Sequence, residues 1–151
     1  MKKLVKEMNR FVMFKLPSAY LCGVRLKDLS ETTATVTVTH KWINQNPFKS
    51  MYFAVQSMAA ELTTGVLIIY KIRKSGKRIS MLVTNHSGNF SKKAVGKITF
   101  TCDNGNLIDE ALQKTISTGE GQKIVMRSVG IDEKGDQVSE YTFEWSIKIK
   151  N

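Results

Sequence analysis

Glu61 is the only charged residue between Lys49 and Lys71, set in a run of apolar and small side chains from Ser50 to Tyr70. A lone carboxylate in such surroundings is costly unless it is paired, hydrogen-bonded or wet, and burial raises its pKa. A carboxyl tuned in that way can act near neutral pH as a general base or a nucleophile. The same placement also suits a plainer role, in which the carboxylate reaches a cleft or subunit interface and bonds a backbone amide or a lysine. Other residue types offer less. His40 and His86 have no Ser or Cys nucleophile in a recognisable motif and read as structural. Cys22 and Cys102 lie far apart and outside any CxxC or His-rich context, which favours buried free thiols over a disulfide or zinc site. There is no Walker loop, GxGxxG or metal-ligand cluster, so neither a metal nor a resident cofactor is expected.

The element that must position Glu61 is a helix. Asn46 followed by Pro47 predicts its start, because an amide side chain can cap free N–H groups and proline suits the first helical position. From Ser50 to Tyr70 the length approaches that of a bilayer span, roughly 20 residues. Gln56, Ser57, Glu61, Thr63 and Thr64 in its centre argue instead for a helix enclosed by protein. Upstream, Leu4, Met8, Phe11 and Val12 fall at the spacing of a short amphipathic N-terminal helix. Residues 20–29 predict a strand, and 32–41 a cleaner one, with Ala34, Val36 and Val38 alternating with threonines. Downstream, Ile79, Met81 and Val83 alternate before a predicted turn at Ser87-Gly88-Asn89. Strands follow at 97–102, 121–131 and 141–149, with a short helix around Leu107 to Leu112. Consecutive antiparallel strands and one apolar helix imply an α+β fold whose six-stranded sheet curls around that helix.

Composition sets the outer limits. At 151 residues, 42% hydrophobic and 24% charged, with no linker or repeat, the chain reads as one domain, 1–151. Lys6, Glu7, Asn9 and Arg10 interrupt any signal-peptide core, which points to the cytoplasm. The formal net charge of +10 suits a polyanionic partner such as nucleic acid, anionic lipid or a phosphorylated cofactor, or else a solvated basic surface. The densest basic stretch, Lys71, Arg73, Lys74, Lys77 and Arg78, has no interleaved aromatic rings, which argues against single-strand nucleic-acid binding.

The stretch from Asn46 through Tyr52-Phe53-Ala54 and Glu61 to Gly65 resembles the central-helix motif of hotdog-fold acyl-CoA thioesterases, closest to the PaaI-like branch and its DUF4442 relatives. In that motif an Asn precedes His-Gly-Gly at the helix start, an acid follows two to three turns later, and a Gly closes. A second match, Phe90-Ser-Lys-Lys93-Ala-Val-Gly96, resembles the segment beside the CoA site. The resemblance implies a hotdog fold and hydrolysis of a fatty or aryl acyl thioester, with coenzyme A part of the substrate. It implies Glu61 as base or nucleophile, Asn46 as positioner of water or substrate, and amides near Tyr52, Phe53 and Ala54 as an oxyanion hole. Lys92 and Lys93 would hold the CoA phosphates, or else stand as a pair of solvated lysines, and a homodimer or homotetramer would form the cleft between subunits. The motif departs at Tyr52-Phe53-Ala54, which replaces His-Gly-Gly and removes the glycines that let substrate approach the backbone. A non-catalytic acyl-CoA or lipid binder is therefore the alternative. A hotdog dehydratase lacks its upstream His motif here, and a nucleic-acid binder ranks last.

Overall fold

The computed structural model describes residues 2–150, and its elements follow from local sequence with three instructive departures. Helix α1 (Lys2–Lys15) buries Met8 and Val12, as the spacing predicts. A short helix α2 (Pro17–Leu21) follows where the start of a strand was expected, because Pro17 opens a helical turn and Gly23, at φ +91°, ends it. Strands β1 (Arg25–Leu29) and β2 (Ala34–Thr39) then form the expected antiparallel hairpin.

The second departure is the start of the central helix, α3, which runs from Phe53 to Ser75 and not from Pro47. Asn46 does cap, but it caps its own loop. Its Oδ1 accepts from the amides of Phe48 at 2.9 Å and Ser50 at 3.2 Å, while its Nδ2 donates to Ser50 Oγ at 3.0 Å. Lys49 takes a left-handed conformation, φ 58°, that no helix could continue through. The far end runs past Tyr70 into Arg73 and Lys74, whose charges suit the C-terminus, and Gly76 closes it at φ 66°.

The third departure is β3 (Ile79–Phe90), which continues through the predicted turn. Gly88 serves clearance: a methyl there would stand 2.9 Å from the Tyr141 ring. Strand β4 (Lys97–Cys102), helix α4 (Gly105–Thr118) and strands β5 (Gln122–Ile131) and β6 (Gln137–Ile149) complete the chain. The six strands form one sheet in the order β1-β2-β4-β5-β6-β3, and every pairing is antiparallel. Its apolar face, including Val36, Phe100, Met126, Phe143 and Ile147, packs around α3. Three polar contacts fix the helix in that trough: Ser139 Oγ donates to Gln56 Oε1 at 2.8 Å, the hydroxyls of Thr63 and Ser128 lie 2.9 Å apart, and Trp145 Nε1 donates to Thr64 Oγ1 at 2.9 Å. Buried hydroxyls and amides paired in this way fix rotation and register, which apolar contact alone leaves loose. α3 is long and apolar enough to cross a membrane, but most of it is buried by the sheet, as befits a core helix.

Candidate functional site

The first turn of α3 opens on a cleft of about 520 Å³, whose lining includes Asn46, Tyr52, Phe53, Phe90, Lys92 and Lys93. Sequence reasoning had singled out five of these six; Phe90 lay within the second quoted motif and was passed over as a mere marker. Tyr52 and Phe53 meet edge to face at 5.0 Å, and Phe53 meets Phe90 at 6.4 Å. Phe53 thus stands half in solvent at the cleft wall rather than in the core. The Tyr52 amide donates to Asn44 O at 2.9 Å. Among the described residues, the amides of Phe53 and Ala54 have no hydrogen-bond partner, and Tyr52 supplies no side-chain cap. Two free N–H groups at the positive end of a 23-residue helix form a donor pair suited to a developing oxyanion.

Two of the expected polar contributors are already committed. Asn46 spends its amide on the 46–50 loop and so shapes the cleft wall. Lys92 binds Asp132 at 2.7 Å and Asp136 at 2.6 Å, which neutralises it in place. Among the described residues Lys93, which reaches Phe48 O at 3.3 Å, forms no ion pair and is an available cation at the rim.

Glu61 lies two turns further along α3, outside the lining of this cleft, half-buried on the stripe that Phe53, Ser57 and Gly65 share. Its carboxyl makes no hydrogen bond or ion pair to any described residue. Burial alone pushes its pKa up to about 7. Gly65 and Trp145 make its floor: a methyl on Gly65 would stand 3.2 Å from Glu61 Oε1 and 3.4 Å from the Trp145 ring. Trp145 was assigned to an apolar strand face, and no signal in its neighbours tied it to Glu61. His86, exposed on β3, stacks on Phe143 at 5.8 Å and forms no hydrogen bond to Glu61. His40 has a buried Nε2 without a partner among the described residues. Both cysteines are free thiols, and among the described residues no group of three or more His, Cys, Asp or Glu could hold a metal.

A family model described as "Domain of unknown function (DUF4442)" matches residues 5–147. No protein of curated function matches the sequence. Among solved structures, a Pseudomonas aeruginosa protein of unknown function described as a probable thioesterase superposes with a TM-score of 0.83, at 20% identity over 96% of each chain. A protein of unknown function from Chlorobaculum tepidum gives 0.84 at 14% identity, over 99% of this chain and 96% of its own. A Haemophilus influenzae thioesterase gives 0.70 at 13% identity, over 96% and 90%. At such identities the likeness establishes the fold, a hotdog.

Proposed function

Because the chain belongs to the DUF4442 family and shares the hotdog fold of several thioesterases, we propose that it hydrolyses a fatty or aryl acyl-CoA thioester. The observation that carries this reading is Glu61: a carboxyl without a partner, held near neutrality by burial on the same helix that offers two free amides. Glu61 takes a proton from water as the water attacks the thioester carbonyl and returns it to the departing thiolate. Alternatively, it attacks that carbon itself to form an acyl-Glu61 anhydride that water then hydrolyses to the acid. The amides of Phe53 and Ala54 receive the oxyanion, and the C–S bond then breaks to release the CoA thiol.

One chain does not bring these parts to one carbonyl. Phe53 and Glu61 are eight residues apart in the helix, so about 12 Å separates them along its axis. Reacting groups must come within about 3.5 Å of each other. A second copy closes the gap, and β3 supports its docking: the strand pairs only with β6, leaving its other edge open for a β3 of another chain. The working form is thus a cytoplasmic homodimer, or a tetramer built from it, with Glu61 of one chain facing the amides of the other. Lys93 takes a CoA phosphate at the rim.

A second reading, a binder of acyl-CoA or lipid without turnover, is favoured by Phe53, whose ring stands where a glycine would admit the substrate. Thiol release measured over a panel of acyl-CoA esters, beside Glu61→Gln, separates the two. Turnover that vanishes in the variant supports hydrolysis. Thermal stabilisation by acyl-CoA without any thiol release would establish the binder instead.

A further inference from the structure

Several large exposed apolar side chains lie on two segments that are tied together. Trp42 is 83% exposed and Ile43 stands beside it on a single helical turn, Trp42–Asn44. The buried Asn44 holds that turn against the end of α2: its Nδ2 donates to Cys22 O and to Thr39 O, each at 2.9 Å, and its Oδ1 accepts from the Lys41 amide at 2.8 Å. Leu21, 67% exposed, ends α2 one residue before Cys22 and so lies on the segment that Asn44 ties to this turn. Phe48, 70% exposed, follows in the 46–50 loop. Leaving four such side chains in water on braced turns has a cost that no contact within the chain offsets.

The segments that carry these side chains are basic. Residues 8–27 and 32–60, which supply the patch, contain no Asp or Glu, and carry Arg10, Lys15, Arg25, Lys27, Lys41 and Lys49. We propose that Leu21, Trp42, Ile43 and Phe48 form a docking surface for an anionic lipid bilayer. Indole and phenyl rings settle at the boundary between headgroups and acyl chains, and flanking lysines keep their ammonium groups among the lipid phosphates while their stems lie along the apolar surface. A second copy of the chain fits less well, since it would bring two basic segments together. Single-stranded nucleic acid would use the rings for stacking but leave Leu21 and Ile43 in water. Phe48 belongs to both patch and cleft, so docking would set the cleft mouth at the bilayer. The inference does not depend on whether the chain hydrolyses anything.

Trp42 makes the test direct. The protein has two tryptophans, and Trp145 is buried, so a change in indole emission on docking belongs to Trp42. The intact protein is mixed with vesicles of phosphatidylcholine containing phosphatidylglycerol, and with vesicles of phosphatidylcholine alone. Docking predicts co-sedimentation and a blue shift with the anionic vesicles, reversed by high salt. Trp42→Ser should weaken partitioning roughly tenfold or more, and Lys41→Glu roughly fivefold or more, since it removes one cation and adds an anion. Both positions are exposed, and unchanged melting temperatures would show that the fold survives. Absence of anionic-vesicle binding, or binding that both variants retain, overturns the proposal. A blue shift that grows with protein concentration without lipid would assign the patch to a second copy, and displacement from vesicles by single-stranded DNA would assign it to nucleic acid. Either result overturns the lipid assignment while leaving acyl-CoA hydrolysis to its own assay.

Discussion

The two halves of α3 share a helix and a trough but differ in whether they leave polar groups unpaired. In the C-terminal half every charge that the core approaches is answered. Lys71, only 5% exposed, binds Asp109 of α4 at 2.6 Å. Lys74 Nζ and Tyr70 Oη both donate to Glu31, at 2.7 and 2.6 Å, and hold its pKa down. Gly76 then caps the helix. In the N-terminal half the amides of Phe53 and Ala54 and the carboxyl of Glu61 go unanswered. Stability alone would have paired them, as it did the others. Polar groups left without partners are the ones a ligand can pair, and that contrast supports placing the proposed chemistry in the N-terminal half.

The contrast breaks most visibly at Glu61. Glu61→Gln keeps the shape and removes the base, so kcat for the preferred acyl-CoA should fall roughly 10³-fold; retention of full thiol release would remove Glu61 from the chemistry. In the intact protein, kcat/KM should rise with pH through about 7 and level off above it, because only the carboxylate is active and burial sets its pKa there. The C-terminal half should answer with stability and leave turnover alone. Asp109→Ala strands a buried ammonium and should cost about 3 kcal/mol, whereas Lys71→Met leaves a carboxylate that water already reaches and should cost about 1 kcal/mol. Urea midpoints for the two variants test that asymmetry, which rests on 5% exposure at Lys71 against 55% at Asp109. Equal losses would mean that the pair is not the buried contact described above.

Glu61 was legible in the sequence because the signal was local: one charge in an apolar run. The alternation of Tyr141, Phe143, Trp145, Ile147 and Ile149 made β6 legible for the same reason, since backbone period and burial agree along one strand. What escaped depended on partners far away in the chain. Lys71 read as part of the densest basic stretch, and its buried role appears only when Asp109, 38 residues on, is brought to it. Lys92 stands in the second quoted motif, and nothing near it in sequence announces its ion pairs with Asp132 and Asp136. Gly88 read as a turn because nothing near it reveals the Tyr141 ring passing over the strand. Asn46-Pro47 is a sound helix-start signal, yet the side chain closed a five-residue loop that competes for the same hydrogen bonds.

The unanswered carboxyl should also show in stability, with a sign opposite to that of an ordinary paired acid. Its folded pKa of about 7 lies above the unfolded value of 4.5, so between those limits the folded state holds a proton that the unfolded state has lost. Unfolding free energy therefore falls as pH rises from about 4.5 to 7, by about 2–3 kcal/mol, and stays lowered above it. Glu61→Gln removes that dependence. The variant should match the parent near pH 4 and melt higher at pH 8, the reverse of what loss of a structural ion pair would do. Melting curves at both pH values decide it, and a variant less stable at pH 8 would show that Glu61 is paired in solution.

The smallest effect expected is at Gly65, and it tests what keeps the carboxyl apart from any partner. Glycine inside a helix costs about 1 kcal/mol relative to alanine, and this one sits at φ in the ordinary range, so backbone conformation does not require it. The remaining reason is space, for its missing methyl would lie 3.2 Å from Glu61 Oε1 and 3.4 Å from the Trp145 ring. Gly65→Ala should therefore leave melting nearly unchanged, propensity offsetting crowding. The carboxyl, pushed off its apolar floor toward the opening, should gain water and titrate lower. The acid limb of the kcat/KM profile would then move below 7, in the direction of 4.5, with only a few-fold loss of rate. An unmoved limb would mean that burial by Trp145 and Gly65 is not what holds Glu61 near neutrality, and the difference between the two halves of the helix would need another cause.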